Sequence, residues 1–399
     1  MNLPPIANTD ENQTGIVIER SKDLLFRLAD AIKTPDQYAS PHLGQGAILN
    51  AIVLVEAGLL RQREEDIQAA ARHLRHAMAL LDEMPLSSSL YRGITGLGWA
   101  MQTFPMPELL DGRDETLCDL DRLLADGIEV TRNLNIDIIN GVAGIAVYAL
   151  ARGAEQDSSV DLWRSLDDVF SRYFSSWSIG DHQPGKSAAN NLGVAHGVPG
   201  LLGVGAVART RGLLPENTGV LLTSGLDMLW AHARREDGFY SYPTHHGAPV
   251  RSRLAWCYGA LGIAATFKNA IPLDPANAER AVHMIESGIA QYASGAHGIR
   301  DATLCHGEAG VALTFEYLAQ GDAFEPALTA ALRNAALKAS CAALDEERRD
   351  LGDCVYFHWT PEGMKSKMSF LEGGPGVALA ISAAYAGAPR PWMNLLAYY

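Results

Sequence analysis

Apolar residues in this chain fall into two kinds of segment that alternate along its length. One kind is short, rich in Ala and Gly, and apolar on most sides: residues 145–151, 201–208, 263–267, 311–318 and 377–385. A helix without a polar face is a buried helix. The other kind is amphipathic. Residues 19–32 place Leu24, Leu25, Leu28, Ala31 and Ile32 on one helical stripe, and residues 115–130 and 327–343 follow the same period. Asp274-Pro275 before residues 276–292 reads as an N-cap with proline at the first helical position. There is almost no strand signal, because no run of alternating β-branched residues is bounded by hairpin turns. The pattern predicts an all-α protein of inner buried helices alternating with outer amphipathic ones.

A repeated turn divides these helices. Gly-x-x-Gly occurs at Gly93–Gly96, Gly141–Gly144, Gly197–Gly200, Gly259–Gly262, Gly307–Gly310 and Gly373–Gly376, each time followed by small and apolar residues. A degenerate copy, Gly44-Gln45-Gly46-Ala47, precedes them and makes seven. From residue 44 onward the first glycines are separated by 49, 48, 56, 62, 48 and 66 residues. That spacing accommodates two helices and two loops per repeat. Seven pairs close most simply into a ring: an α/α toroid of seven inner and seven outer helices, one domain over residues 1–399. An open solenoid of helix pairs is the rival arrangement. Residues 178–191 and 236–252 read as loops, and the charged, aromatic segment 345–367 precedes the last turn.

Composition narrows the function classes. The chain has 399 residues, 48% of them hydrophobic, enough to bury a large core. A net charge of −14 argues against nucleic acid and anionic lipid as partners. No basic stretch followed by an apolar one reads as a signal peptide. The longest apolar run, residues 47–60, is interrupted by Asn50 and Glu56 and is too short to span a bilayer. Five cysteines in so long a chain do not form a disulfide framework. The expected setting is a reducing cytoplasm, where a cysteine is free to bind metal.

In a toroid the turns before the inner helices share one rim, and rims of rigid scaffolds are where sites are built. Polar residues gather just before the repeat glycines: Asn140, with Asp137 a turn earlier, His196, Tyr258 after Cys257, His306 after Cys305, and Glu372. Cys257, Cys305 and His306 supply two thiolates and one imidazole. Three protein ligands with a fourth position open is the arrangement of a catalytic zinc, and these ligand types suit zinc better than magnesium or calcium. The alternative is that both cysteines are small buried hydrophobes. One zinc ion per chain is the expectation. His196 is the candidate proton donor or acceptor beside it, with Asp137 to orient it or share its proton. Alone, such a histidine is a hydrogen-bonded structural group, and Asp137 a helix cap. Arg253, four residues before Cys257, is placed to bind an anionic intermediate or to pair with a carboxylate. Tyr258 is a second acid or a packing residue. For His245, His246 and His358 a solvated loop is the expectation.

These residues resemble the lanthipeptide cyclase family, the lanthionine synthetase C-like proteins. The resemblance rests on the seven turns and on Ala195-His196-Gly197, Trp256-Cys257-Tyr258-Gly259 and Cys305-His306-Gly307, in that order. It implies a standalone cyclase with an α/α toroid fold and zinc at one end of the cavity. Cys257, Cys305 and His306 are then the zinc ligands, and His196, Asp137, Arg253 and Tyr258 the groups around the metal. Asp137 is placed by the looser match Ile136-Asp137-Ile138-Ile139-Asn140-Gly141, and the first repeat lacks a clean Gly-x-x-Gly. The implied reaction adds a cysteine thiolate of a dehydrated precursor peptide to dehydroalanine or dehydrobutyrine, forming a thioether ring. A lanthipeptide dehydratase is the implied partner. Three other readings stand beside this one: addition of glutathione or another thiol to dehydrated residues of proteins, a non-catalytic peptide-binding scaffold, and a metal-water hydrolase.

Overall fold

The computed structural model describes residues 11–35, 40–81, 87–104, 106, 112–130, 135–177, 191–236, 238–352 and 354–399. The loop expected at 178–191 lies, apart from Asn191, outside the described residues. The first eight helices are α1 (Glu11–Ala31), α2 (Ala47–Arg61), α3 (Glu64–Leu81), α4 (Ile94–Thr103), α5 (Arg113–Val130), α6 (Val142–Arg152), α7 (Asp157–Ser176) and α8 (Val198–Thr210). They are followed by α9 (Glu216–Ala231), α10 (Ala260–Asn269), α11 (Ala276–Ala293), α12 (Glu308–Leu318), α13 (Pro326–Asp345) and α14 (Gly374–Ala384). Even-numbered helices form the inner layer and odd-numbered ones the outer. The chemistry of each layer follows from its faces. In α8 every residue from Val198 to Ala208 is buried. In α1 only a stripe is buried, Val17, Leu24, Leu25, Leu28 and Ala29 among it. Ala31, expected on that stripe, is exposed, and Ala29 takes its place.

Seven inner helices pack side by side in chain order, and α14 packs back onto α2, closing the toroid. A circuit of backbone hydrogen bonds among the turns completes the closure. Gly44 donates to Tyr91 O (2.8 Å), Tyr91 to Ile139 O (3.2 Å), Ile138 to Ala195 O (3.0 Å) and Ala195 to Cys257 O (3.4 Å). Cys257 then donates to Cys305 O (3.4 Å), Cys305 to Leu371 O (2.8 Å), and Phe370 to Gly44 O (2.9 Å). These residues lie two or three positions before the glycine that caps each inner helix. In the first repeat that cap is Gly46, not Gly44. The degenerate turn is thus shifted by two residues relative to the motif, while Gly44 keeps its place in the circuit.

Close approach explains the paired glycines. In α2, α4, α6, α8 and α12 the amide that opens the helix reaches back to a carbonyl seven residues upstream, as Val142 does to Asn135 O (2.8 Å) and Glu308 to Asp301 O (3.0 Å). That carbonyl then crowds the capping glycine: a Cβ on Gly259 would lie 2.1 Å from Arg253 O. The second glycine, in the first helical turn, meets another carbonyl, and a Cβ on Gly310 would lie 1.9 Å from Leu304 O. Most of the caps have ordinary extended φ, for example −126° at Gly141 and −110° at Gly307, so space and not backbone conformation demands glycine there.

Two short hairpins depart from the all-helical expectation. Strands β1 (Arg234–Glu236) and β2 (Phe239–Ser241) pair antiparallel, as do β3 (Phe357–Thr360) and β4 (Gly363–Ser366). Strands of three or four residues are too short to register as alternation. Residues 391–399 fold back against several repeats at once. Tyr91 Oη donates to Leu395 O (2.9 Å), Trp256 Nε1 to Leu396 O (3.0 Å) and Asn269 Nδ2 to Ala397 O (2.8 Å). Tyr398 stacks on Tyr317 with 4.3 Å between ring centroids. Trp256 and Tyr91 sit in the rim turns, so this stretch lies directly against the rim from inside the ring.

Candidate metal centre

The circuit places the two cysteines. Cys257 and Cys305 occupy the same repeat position, two residues before the caps Gly259 and Gly307, and Cys257 N–H donates to Cys305 O. Residues 48 apart in sequence are thereby held as backbone neighbours. His306, next in line, turns its ring to the same point. The ligand atoms of Cys257, Cys305 and His306 all lie within 4.8 Å of one another. A tetrahedral zinc with Zn–S bonds near 2.3 Å needs sulfurs roughly 3.8 Å apart, so the spacing and the donor types fit such an ion.

Asp301 supports this cluster and was missed in the sequence. It is buried, and its carboxylate is fully engaged: Oδ1 accepts from Thr303 N–H (2.9 Å) and Thr303 Oγ1 (2.7 Å), and Oδ2 from Trp359 N–H (3.0 Å). His306 Nε2 lies 3.3 Å from Oδ2, without full hydrogen-bond geometry. A carboxylate behind a ligating imidazole is the usual support of such a ligand, and it leaves Nδ1 for the metal. Burial opposes the Asp301 charge, but His306, Trp359 and Thr303 outweigh it and hold the carboxyl well below the usual range. A signal for Asp301 existed in the repeats. Asn135, Asn191 and Asp301 all stand six residues before a cap glycine, and each side chain accepts an amide two residues on. At the same position the fifth and seventh repeats carry Arg253 and Lys367 instead.

The structure also brings His196 and Asp137 together. His196 Nδ1 lies 3.1 Å from Asp137 Oδ2, and the side chain is exposed. Asp137 accepts from Asn140 N–H (2.5 Å) and Asn135 Nδ2 (3.1 Å). Burial raises its pKa, but His196 and these donors prevail and lower it below the usual carboxylate range.

Tyr258 follows Cys257, and its ring packs against Gly193 in the turn that carries His196. Asn191 Nδ2 donates to Tyr258 Oη (3.0 Å), and burial above all raises the phenol's pKa. Gly193 makes room for the ring, since a Cβ there would lie 2.5 Å from Tyr258 Cε1. Neither Asn191 nor Gly193 was visible as a site residue in the sequence. His245, expected in a solvated loop, is half-buried 6.4 Å from the Tyr258 ring. His358 departs further from that expectation: it is buried in β3, with Nδ1 lacking a hydrogen-bond partner.

Arg253 reaches the cluster only through its field, which lowers both thiols, and it forms no ion pair among the described residues. Glu372 faces His306 and pairs with Lys367.

No helix of the described residues is long and apolar enough to cross a membrane. No curated protein matches the sequence. Among solved structures, nisin cyclase matches over 96% of this chain and 97% of its own, with a TM-score of 0.69 and 19% sequence identity. Residues 38–396 match the family model described as lanthionine synthetase C-like protein. With nine-tenths of its length inside that match, the chain belongs to the lanthionine synthetase C-like family.

Proposed function

We propose that this protein is a zinc-dependent peptide cyclase that forms lanthionine or methyllanthionine rings in a dehydrated precursor peptide. One observation carries the reading: a Cys₂His cluster within 4.8 Å shares its rim with the His196–Asp137 pair, and Tyr258, next to Cys257, packs on the turn that carries His196. Cys257, Cys305 and His306 would hold a zinc ion, which would supply the Lewis acidity that keeps a substrate cysteine a thiolate near neutral pH.

The remaining work falls to the chain's own groups. The substrate sulfur bonds to the β-carbon of the dehydro residue, and the alkene π pair moves to the α-carbon to give an enolate. His196, with Nδ1 engaged by Asp137, returns a proton to that α-carbon from Nε2. Asp137, held ionised, fixes the orientation of the ring through Nδ1. Arg253, without an ion-pair partner among the described residues, offsets the charge that develops on the enolate oxygen. Tyr258, fixed by Asn191 and Gly193, walls the space beside the thiol and keeps the reacting sulfur and β-carbon near each other. The proton lost by the thiol is balanced by the one gained at carbon, so mass is unchanged. The same reading gives a dehydratase upstream and a cytoplasmic setting.

The test uses a synthetic peptide with one dehydroalanine and one cysteine. After incubation with the zinc-loaded protein, the peptide should lose its alkylatable thiol, read as a missing mass adduct. Cys305→Ala should lose both zinc and this activity. His196→Ala should keep zinc and cyclise on the order of a hundredfold or more slower. Cyclisation by metal-free protein at the full rate would overturn the reading.

A further inference from the structure

The position six residues before a cap glycine uses its two side-chain atoms differently. One fixes its own turn, and the other reaches a group of the site. Asn135 Oδ1 accepts from Asp137 N–H (3.2 Å), and Asn135 Nδ2 donates to the Asp137 carboxylate that holds His196 (3.1 Å). Asp301 Oδ1 accepts from Thr303 N–H (2.9 Å), and Oδ2 faces His306. Asn191 follows the same plan across a repeat boundary. Its Oδ1 accepts from Gly193 N–H (2.9 Å), and its Nδ2 donates to Tyr258 Oη (3.0 Å).

The direction of that last bond follows from the chemistry of the amide. A carboxamide has one acceptor atom and one donor atom. The Gly193 N–H can only donate, so the Asn191 atom facing it is the oxygen. The atom facing the phenol is then the NH₂ group, which can only donate as well. Tyr258 Oη must accept, and its own proton has to point elsewhere. No group among the described residues takes that proton. Asn191 is buried and the Tyr258 ring packs on the Gly193 backbone, so neither partner can swing away to a different arrangement. The result is a half-buried phenol, next in sequence to Cys257, whose O–H has no partner in the fold.

We propose that Asn191 is a positioning residue that sets the polarity of the Tyr258 hydroxyl, so that Tyr258 donates its O–H to the carbonyl oxygen of the substrate's dehydro residue. The proposal rests on the reading of the protein as a peptide cyclase. The phenol keeps its proton throughout, and no bond to hydrogen breaks there. The hydrogen bond tightens as the carbonyl oxygen takes up enolate charge. An interaction that strengthens only in the transition state acts on kcat and leaves KM little changed.

Asn191→Asp reverses the bond with little change of shape. A carboxylate has acceptors and no donor, so one oxygen keeps the Gly193 amide and the other takes the phenol's proton away from the substrate. The sixth repeat already carries Asp at this position and accepts the same turn amide, so the turn accommodates it. In the thiol-alkylation assay Asn191→Asp and Tyr258→Phe should each lower kcat about a hundredfold, with KM and zinc content little changed. The double variant should be no slower than Tyr258→Phe. That comparison separates polarity from added negative charge, which would slow the double variant further. Asn191→Asp turning over at the wild-type rate would overturn the proposal, as would a double variant slower than both singles, or a loss of zinc that accounts for the lost rate.

A second readout needs no turnover. Protein labelled with ¹³C at the phenolic carbon of tyrosine gives a Tyr258 signal, identified by its loss in Tyr258→Phe. In Asn191→Asp this signal should move downfield, because the phenol now donates to a carboxylate. An unmoved signal would overturn the assigned polarity. The shift without cyclisation by the wild-type protein sinks the cyclase reading and leaves Asn191 in its place, and cyclisation with an unmoved signal does the reverse.

Discussion

Filling the metal centre must expel protons, and the charges around it set the number. In the metal-free cluster the hydrogen bond from Cys305 holds Cys257 below the usual thiol range, against the cost of burial and with help from His306. The same contact, together with burial, pushes Cys305 far up. Burial also disfavours a charged His306, but Asp301 and Cys257 outweigh it and raise its pKa to about 9. Near neutral pH the cluster therefore carries two protons, one on Cys305 and one on His306. A tetrahedral ion needs all three ligands deprotonated. Protons and metal compete, so affinity must rise with pH. The slope is about two decades per pH unit, or about 2.7 kcal/mol, and it flattens as His306 deprotonates at about 9. Competition against a chromophoric chelator at three pH values between about 6.5 and 8.5, corrected for the chelator's own titration, measures the slope. Calorimetry in buffers of different ionisation enthalpy counts the protons directly. A slope below about one would show that the ligands are already deprotonated without metal, and would refute the chain of charges from Asp301 through His306 to Cys257.

Asp301→Asn turns an amide N–H towards a backbone N–H that now has an acceptor; zinc affinity should fall about 10–100-fold, and the Trp359 amide should exchange faster with solvent. Unchanged affinity would remove Asp301 from the support of His306. Gly376→Ala would set a Cβ 1.7 Å from Phe370 O, so thermal unfolding should show a loss of at least about 1–3 kcal/mol, with zinc still bound at low temperature. Arg152→Ala should cost about 3–5 kcal/mol in denaturant unfolding, because it strands the fully buried Asp121 charge that joins α5 to α6. A loss under about 1 kcal/mol would mean that Tyr148 and Ser158 alone satisfy that carboxylate.

The ring was legible in the sequence because its repeat is carried by glycines that nothing else can replace. The bounds of α6, α8, α12 and α14 follow from where carbonyls crowd the turn, and the helices start between the two glycines instead of after them. Cys257, Cys305 and His306 were legible for the same reason: polar residues at a position that is otherwise bland. Asp301 was harder to see. Its position reads as a turn former in Asn135 and Asn191 too, and only the approach of β3 and His306 gives the sixth repeat a second role. Gly193 carries no repeat signal, because its glycine is demanded by Tyr258 from the next repeat. The two hairpins and residues 391–399 were not legible at all. The strands are too short for a period, and the last stretch is defined by partners in several repeats and by none of its own.

The same physics explains why a site divided over two repeats has a fixed geometry. The position two before each cap is the one at which the backbone circuit runs, and its side chains are otherwise Tyr91, Ile139, Ala195 and Leu371, all buried or packed on the core. Side chains at this position in neighbouring repeats must therefore meet, whatever their identity. Two thiols there replace a core contact with a ligand pair, and no loop has to be ordered to bring them together. The third ligand comes from the next residue, where the ring of side chains turns from core to cavity. The residues six before the cap then differ around the pair. Asp301 in the sixth repeat faces the imidazole, Arg253 in the fifth puts positive charge near the thiols, and Lys367 in the seventh is paired with Glu372. The turns of the third and fourth repeats carry their own polar pair on the same rim, His196 Nδ1 lying 3.1 Å from Asp137 Oδ2.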